Sequence, residues 1–261
     1  MVDWDGAGYE KVSDLQRTLA SRSLEHLVVR GDEDCLDVGC GDGYLTRLLA
    51  MRLPEGSVLG VDASPRMIEA ARRAAVPAGA YVSFELGDAS ALRFDTEFDL
   101  VTSFNALHWV VDQHTALSGI ARALVPEGRA LLQQVCAGPR PSLEDVAMEV
   151  AAAPRWQAAF DGFDAPFVHV DPDGYPDLAA AAGLTVQSST VTDEEWDFGS
   201  REDFAAWCTV GFAPWTPRLD PALVGSWVDD VVERYEQLSG RPGLFRFMQL
   251  VVELTPAAVP D

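Results

Sequence analysis

Short apolar segments alternate with longer segments of helical periodicity along the first half of the chain. Between the apolar segments, residues such as Leu45, Leu48 and Leu49 recur at the three- and four-residue spacing of an amphipathic helix. Strands that alternate with helices in this way build βαβ units, a mainly parallel sheet and right-handed crossovers. The pattern therefore predicts an α/β fold. Its strands are expected at 35–38, 58–61, 81–86, 98–104 and 130–135.

The segments outside this alternation complete the predicted architecture. A helix is expected at 9–30, where Leu15 and Leu19 belong to an apolar stripe. Two further strands and two aromatic-rich segments follow residue 137. We interpret the aromatic-rich segments as a helical cap over the strand ends, because long connections in compact domains are usually functional. One domain is therefore expected over 1–261, with a core at 33–137. The cap segments are 138–176 and 200–245, and the strands lie near 186–197 and 246–254.

The composition is that of a folded but strongly acidic protein. The 261 residues include 19 Lys and Arg against 41 Asp and Glu, which gives a formal net charge of −22. Nucleic acids bind to clustered Lys and Arg, and an anionic membrane surface would be repelled for the same reason. No apolar run approaches the roughly 18–20 residues that a membrane span requires. We therefore expect neither nucleic acid nor a membrane as a partner.

The cysteines and histidines show no metal-ligand spacing. Cys35, Cys40, Cys136 and Cys208 form no CxxC pair, and His169 is expected at the surface. The first residues are acidic and lack the basic and apolar regions of a secretory signal. A reduced, cytoplasmic protein with no metal is therefore expected.

A glycine-rich loop, DVGCGDG at 37–43, separates the first predicted strand from the helix that follows. Glycines allow a sharp turn and a close approach to a ligand, and the helix N-terminus offers free N–H groups to an anionic group. Asp62 ends the second strand, where a carboxylate can accept both hydroxyls of a ribose. Asp88 follows the third strand, where it could accept from an exocyclic amine. Because these strand ends converge on one crevice, they predict a nucleotide site.

The loop spacing separates two kinds of nucleotide ligand. Dinucleotide-binding loops favour G-x-G-x-x-G, whereas this loop is G-x-G-x-G and is preceded by Asp37. It resembles the signature of the class I S-adenosylmethionine-dependent methyltransferases. The resemblance covers about residues 34–136. It is carried by LDVGCGDG at 36–43, GVDASPRMI at 60–68, GDA at 87–89 and FDLV at 98–101.

This resemblance implies a Rossmann-like, seven-stranded sheet that is mainly parallel, has an antiparallel last strand and carries helices on both faces. It implies S-adenosyl-L-methionine as the cofactor and S-adenosyl-L-homocysteine as the product. The glycine loop would lie against the methionine part of the cofactor, Asp62 would hold the ribose, and Asp88 would bind the adenine edge. The residues assigned to the cofactor in this way are Asp37, Gly39, Cys40, Gly41, Asp62, Ala63, Met67, Asp88, Ala89, Phe104 and Asn105.

The stretch FNALHWVVD at 104–112 follows the fourth strand and places His108 and Trp109 at the mouth of the crevice. It resembles the small-molecule carboxylate O-methyltransferases of the juvenile hormone acid and trans-aconitate type. In that group a Gln on the N-terminal helix and a Trp after the fourth strand hold the acceptor carboxylate. Gln16 and Trp109 match these positions. A carboxylate is ionised at neutral pH and needs alignment and desolvation rather than a base.

Other functions remain open from the sequence. If the acceptor is a hydroxyl or an amine of a natural product, a base is required, and His108 is the candidate. The aromatic cap favours a small, partly apolar acceptor in either case. A regulatory module that kept the fold without activity is a third hypothesis. A nicotinamide oxidoreductase is disfavoured by the loop spacing.

Overall fold

The computed structural model describes residues 14–258, except for five side chains within the first helix: Asp14, Gln16, Ala20, Ser23 and His26. Over this range, seven strands form one mixed sheet in the order β3-β2-β1-β4-β5-β7-β6. The strands are β1 (Asp34–Val38), β2 (Ser57–Asp62), β3 (Val82–Leu86), β4 (Phe98–Phe104), β5 (Leu124–Val135), β6 (Leu184–Asp197) and β7 (Leu244–Pro256).

The strand directions confirm the predicted Rossmann-like sheet. Strands β1 to β5 pair in parallel, whereas β7 runs antiparallel between β5 and β6. One difference is that β5 begins at Leu124 and not at 130, because Phe98 already pairs with Leu124 before a register shift in β4. The carboxyl ends of the parallel strands therefore lie along one edge, as the site prediction requires.

Local sequence signals explain where several helices begin. At the start of the helix Pro65–Arg73, Ser64 accepts a hydrogen bond from the Met67 amide at 3.3 Å. At the start of the helix Gln113–Ala123, Asp112 accepts a hydrogen bond from the Thr115 amide at 2.9 Å. These side chains satisfy N–H groups that the first helical turn leaves unpaired. The helices are α1 (Asp14–His26), α2 (Tyr44–Ala50), α3 (Pro65–Arg73), α4 (Gln113–Ala123), α5 (Leu143–Ala151), α6 (Tyr175–Ala181), α7 (Arg201–Gly211) and α8 (Val224–Ser239).

The buried apolar residues form separate clusters on the two faces of the sheet and at its edge. Helices α4 and α6 cover one face, where Leu117 packs near Leu36 of β1. Helix α2 covers the other face, where Leu49 packs near Cys35 of β1. Neighbouring residues of one strand thus point to opposite faces, as the pleat requires. A further cluster joins α1, α5, α7 and α8 to β7, and it is rich in Trp and Phe.

The end of the first predicted cap segment packs on the sheet. Val170 forms a parallel bridge with Cys136, and Tyr175 belongs to the cluster beneath α4 and α6. The chain therefore returns to the sheet several residues before 176. The interpretation of the whole chain as one domain stays a prediction.

Candidate active site

A cavity of about 470 Å³ lies at the carboxyl edge of the parallel strands. Its lining includes residues that follow β1, β2, β3 and β4, together with residues of α1, α5, α7 and β7. It therefore has two ends. We call the part next to the strand ends the cofactor end, and the part next to the helices and β7 the acceptor end.

The glycine loop is held against β2 and leaves room for a ligand. The amides of Gly39 and Cys40 both donate to the Val61 carbonyl, at 2.8 and 3.0 Å. Gly39 has φ +75°, and a Cβ there would lie 2.1 Å from Cβ of Ala106. At Gly41, φ is +55°, and a Cβ would meet no described atom within 4 Å. The loop is thus closely packed at Gly39 and open to the cavity at Gly41, which suits a bulky ligand lying across it.

Asp62 connects the end of β2 to the glycine loop. Its Oδ2 accepts a hydrogen bond from the Gly41 amide at 2.9 Å, and its Oδ1 accepts one from the Ser64 amide at 2.8 Å. Burial raises the pKa of this carboxyl, although the two amide hydrogen bonds oppose that effect. Asp62 also lines the cavity. Each carboxylate oxygen keeps further acceptor capacity, so the same group can shape the loop and accept from a ligand hydroxyl.

Asp37 and Cys40 support the loop from below. Asp37 is buried and accepts hydrogen bonds from the hydroxyls of Thr46 at 2.7 Å and Thr102 at 3.0 Å. Burial raises the pKa of Asp37 to about 6. The Cys40 side chain packs in a small cluster that includes Phe84. Neither residue is among those that line the cavity, so both side chains pack beneath the loop.

The other residues assigned to the cofactor come together at the same end of the cavity. Asp88 accepts hydrogen bonds at Oδ1 from the amide of Ser90 at 2.9 Å and from its hydroxyl at 2.7 Å. Asn105 has a left-handed backbone, and its Oδ1 accepts from Gln249 at 2.9 Å. The predicted cofactor residues that line the cavity are Gly39, Gly41, Asp62, Ala63, Met67, Asp88, Ala89, Phe104 and Asn105.

His108 and Trp109 lie on a short helical turn after β4, and both line the cavity. His108 is 4% exposed. Burial, assisted by the nearby His169, lowers its pKa to about 3. Its imidazole is therefore neutral at physiological pH and is a weak base. Gln16 is part of α1, but its side chain lies outside the described residues, so its predicted contact with an acceptor stays a prediction.

Sequence reasoning missed two polar residues near His108. Glu144, in the first turn of α5, is 8% exposed and lines the cavity. The His169 side chain is 7% exposed, and its Nε2 lies 3.8 Å from Oε2 of Glu144. The expected surface position of His169 is therefore wrong, because the bridge of Val170 to Cys136 draws this segment inward.

The acceptor end is otherwise apolar and aromatic. Trp109 contacts Trp215 edge-on, with ring centroids 6.1 Å apart. Among the described residues that line the cavity, none is Lys or Arg. The other apolar residues at this end include Leu15, Leu19, Leu143, Trp207, Phe212, Phe245 and Phe247.

Neither a bilayer-crossing helix nor a metal-binding cluster is found among the described residues. No helix within 14–258 is long and apolar enough to cross a bilayer. Over the same range, no group of three or more His, Cys, Asp or Glu is placed to hold a metal ion.

Comparison with known proteins gives a consistent family. Residues 35–128 match the family model of a methyltransferase domain. The chain is 29% identical to trans-aconitate 2-methyltransferase of Methylobacterium radiotolerans over 237 residues, which cover 88% of this chain and 87% of that enzyme. It is 28% identical to the Variovorax paradoxus enzyme of the same name, over 91% of this chain and 90% of that one. A match of 35% identity to the Methylobacterium nodulans enzyme spans about half of each chain.

Solved structures show the same fold. The YcgJ protein of Bacillus subtilis superposes with a TM-score of 0.65 at 20% identity, covering 94% of this chain and 99% of that one. A phosphoethanolamine N-methyltransferase of Haemonchus contortus, solved with S-adenosylhomocysteine, gives a TM-score of 0.59 at 15% identity. It covers 97% of this chain and 57% of the other.

The sheet order, the open glycine loop and these matches together point to one class of enzyme. The chain is similar to the class I S-adenosylmethionine-dependent methyltransferases, and the findings support a methyltransferase with S-adenosyl-L-methionine as its cofactor. Within that class it is similar to the trans-aconitate 2-methyltransferases.

Proposed function

We propose that this enzyme methylates a carboxylate oxygen of a small, partly apolar organic acid in the cytoplasm. The observation that carries the proposal is the state of His108. This imidazole lines the cavity, but burial lowers its pKa to about 3, so it is poorly suited to remove a proton near neutral pH. A carboxylate acceptor is already ionised and needs no such base. The relatives that carry the name trans-aconitate 2-methyltransferase support an acid as the acceptor.

We assign roles to the residues that line the cavity from their positions there, and a role to Gln16 from the family resemblance. When bound, the cofactor supplies a methyl group on a positively charged sulfur, which an ionised oxygen can attack without proton transfer. Asp62 and Asp88 accept from the nucleoside part, and Gly41 leaves space for it. The indole N–H of Trp109 and the amide of Gln16 donate to the acceptor carboxylate. The aromatic walls exclude water, which strengthens these hydrogen bonds and aligns the acceptor.

Two measurements test the proposal. Calorimetry with S-adenosylhomocysteine is expected to show micromolar binding, and a screen with labelled cofactor is expected to find methyl esters among aliphatic and aromatic acids. His108→Asn then separates carboxylate from hydroxyl or amine acceptors, because Asn cannot act as a base. We expect kcat/KM to fall by less than about tenfold, since general-base catalysis contributes about 10²–10⁴-fold where it operates.

The surface residue His114 provides the matched control. It is exposed, and its ring bonds only to the Ala181 carbonyl among the described residues, at 3.1 Å. His114→Asn is expected to leave turnover unchanged. A loss of about 100-fold or more in His108→Asn, with cofactor binding retained, would contradict the carboxylate proposal and support base catalysis on a hydroxyl or amine.

A further inference from the structure

Glu144 is a buried carboxylate without a hydrogen-bonded partner in the described structure. It is 8% exposed and lines the acceptor end of the cavity. Among residues 14–258, no group donates a hydrogen bond to it, and Nε2 of His169 is 3.8 Å away. Burying a carboxylate is costly unless hydrogen bonds or a cation compensate for the lost water. Among the described residues, none supplies such a partner to Glu144.

Two neighbouring histidines share this property. Nε2 of His169 and Nδ1 of His108 are both buried, and neither has a hydrogen-bond partner among the described residues. Their ring centroids are 6.1 Å apart. Buried polar atoms in native proteins almost always have partners. Of these three side chains, Glu144 and His108 line the cavity, so the geometry indicates a ligand that meets the hydrogen-bonding capacity of the Glu144 carboxylate.

Glu144 differs from the other carboxylates that line the cavity. Asp62 accepts hydrogen bonds from two backbone amides, Asp88 accepts from Ser90, and Asp112 caps α4 through Thr115. Those groups already have partners and lie near the strand ends. Glu144 lies instead among the cap helices, where burial, assisted by the Glu144 carboxylate, raises the pKa of the Cys208 thiol of α7.

We propose that Glu144, assisted by His169, recognises a hydrogen-bond donor on the acceptor molecule, at a position remote from the carboxylate that is methylated. The donor is a hydroxyl or a protonated amine. The acceptor class is therefore an apolar monocarboxylic acid that carries one such group, and an acid with a second carboxylate is disfavoured by the charge of Glu144. This inference rests on the proposed carboxylate methylation.

The test uses three flexible acids that differ in one terminal group: octanoic, 8-hydroxyoctanoic and 8-aminooctanoic acid, with their six- and ten-carbon homologues. Methyl transfer from labelled S-adenosylmethionine is measured for each. The wild-type enzyme is expected to favour the hydroxy or the amino acid over octanoic acid by about tenfold or more in kcat/KM, since a buried acceptor left unpaired penalises the analogue that lacks the donor. Equal kcat/KM for all three acids at every chain length would overturn the proposal.

Two substitutions separate the two donors. Glu144→Gln keeps an acceptor oxygen but removes the charge, so it should abolish a preference for the amino acid and retain most of a preference for the hydroxy acid. Glu144→Leu should abolish both preferences. Its turnover of octanoic acid should equal or exceed that of the wild-type enzyme. If Glu144→Leu leaves the preference intact, or lowers turnover of all three acids by the same factor, Glu144 does not recognise this group.

Glu149→Gln is the matched control. Glu149 lies on the same helix, is exposed and pairs with Arg234 at 2.9 Å on the surface. Its substitution should change none of the ratios. Affinity for S-adenosylhomocysteine, measured for every variant, confirms that each one is folded.

A further arm distinguishes this inference from the proposed function. If the wild-type enzyme methylates no acid, the carboxylate proposal fails. The role of Glu144 is then tested by the binding of octylammonium and of octan-1-ol to the protein loaded with S-adenosylhomocysteine. Binding of either probe that is about tenfold tighter in wild type than in Glu144→Leu supports donor recognition. Equal binding of both probes to the two proteins overturns it.

Discussion

The two ends of the cavity are built in different ways. At the cofactor end, the cavity is lined by short loops that follow consecutive strands. Backbone amides hold these loops in place, because Gly39 donates to the Val61 carbonyl and Gly41 donates to the Asp62 carboxylate. At the acceptor end, the walls come from α1, α5, α7 and β7, which are far apart in the sequence and meet through aromatic side chains. The shape of the cofactor end depends on backbone conformation at a few positions, whereas the shape of the acceptor end depends on side-chain packing at many positions.

This difference predicts different responses to substitution. A small change at the cofactor end should affect cofactor binding before it affects stability. A large-to-small change in the cap should affect stability and acceptor turnover but should spare the cofactor.

The largest effect is expected in the cap. Trp215 is 0% exposed and packs against Trp109, Phe212 and Trp227. Trp215→Ala removes this contact area and leaves a cavity, which should lower the free energy of unfolding by about 3–5 kcal/mol. Chemical denaturation measures the loss, and calorimetry on the folded variant should find affinity for S-adenosylhomocysteine within about threefold of wild type.

Trp196 is the control for this substitution. It is only half-buried on the edge strand β6, so Trp196→Ala should cost clearly less stability. An equal loss of stability in the two variants, or a collapse of cofactor affinity in Trp215→Ala, would contradict the separation of the two ends.

The next effect is expected at the glycine loop. In Gly39→Ala the new Cβ would lie 2.1 Å from Cβ of Ala106, so the loop must move away from its hydrogen bonds to Val61. We expect affinity for S-adenosylhomocysteine to fall by about 100-fold, which corresponds to about 2.7 kcal/mol. Calorimetry measures this loss directly.

Gly240→Ala separates the steric effect from the backbone strain. Gly240 ends α8 with the same φ of +75°, and a Cβ there would meet no described atom within 4 Å. This variant incurs only the left-handed conformational penalty of about 1–2 kcal/mol in stability. Its cofactor affinity should match wild type, and an equal loss of affinity in both variants would contradict the steric explanation.

The same contrast explains how much the sequence could predict. The cofactor end follows from local pattern, because a βα unit places its own loop, so Gly41, Asp62 and Asp88 were located from neighbours in the chain. Glu144 and His169 meet only because α5 and a distant loop pack together, and no local pattern encodes that contact. The family resemblance assigns Asp37 to the cofactor, yet its buried side chain accepts hydrogen bonds from Thr46 and Thr102.

A further effect is a difference in pH dependence that reports the burial of His108. Its pKa falls from an ordinary value of 6.5 to about 3 in the folded protein. Between these values the unfolded chain binds a proton that the folded chain does not, so this group makes the protein less stable as pH falls from about 6.5 toward about 3. Asp37 acts in the opposite sense, because its pKa is raised from 3.8 to about 6. It stabilises the folded state most at low pH, and that contribution is lost as pH rises through this window.

Subtracting the stability of His108→Asn from that of wild type isolates the histidine, because Asp37 contributes to both proteins. The difference should be constant above about pH 7 and should shift against wild type as pH falls toward 4. Denaturation at a series of pH values measures it, with the neighbours His169 and Glu144 unchanged in both proteins. A difference that stays level down to pH 4 would mean that His108 can be protonated within the fold. The acceptor end would then be open to water. His108 could then act as a base, and a hydroxyl or amine acceptor would be as compatible with the site as a carboxylate.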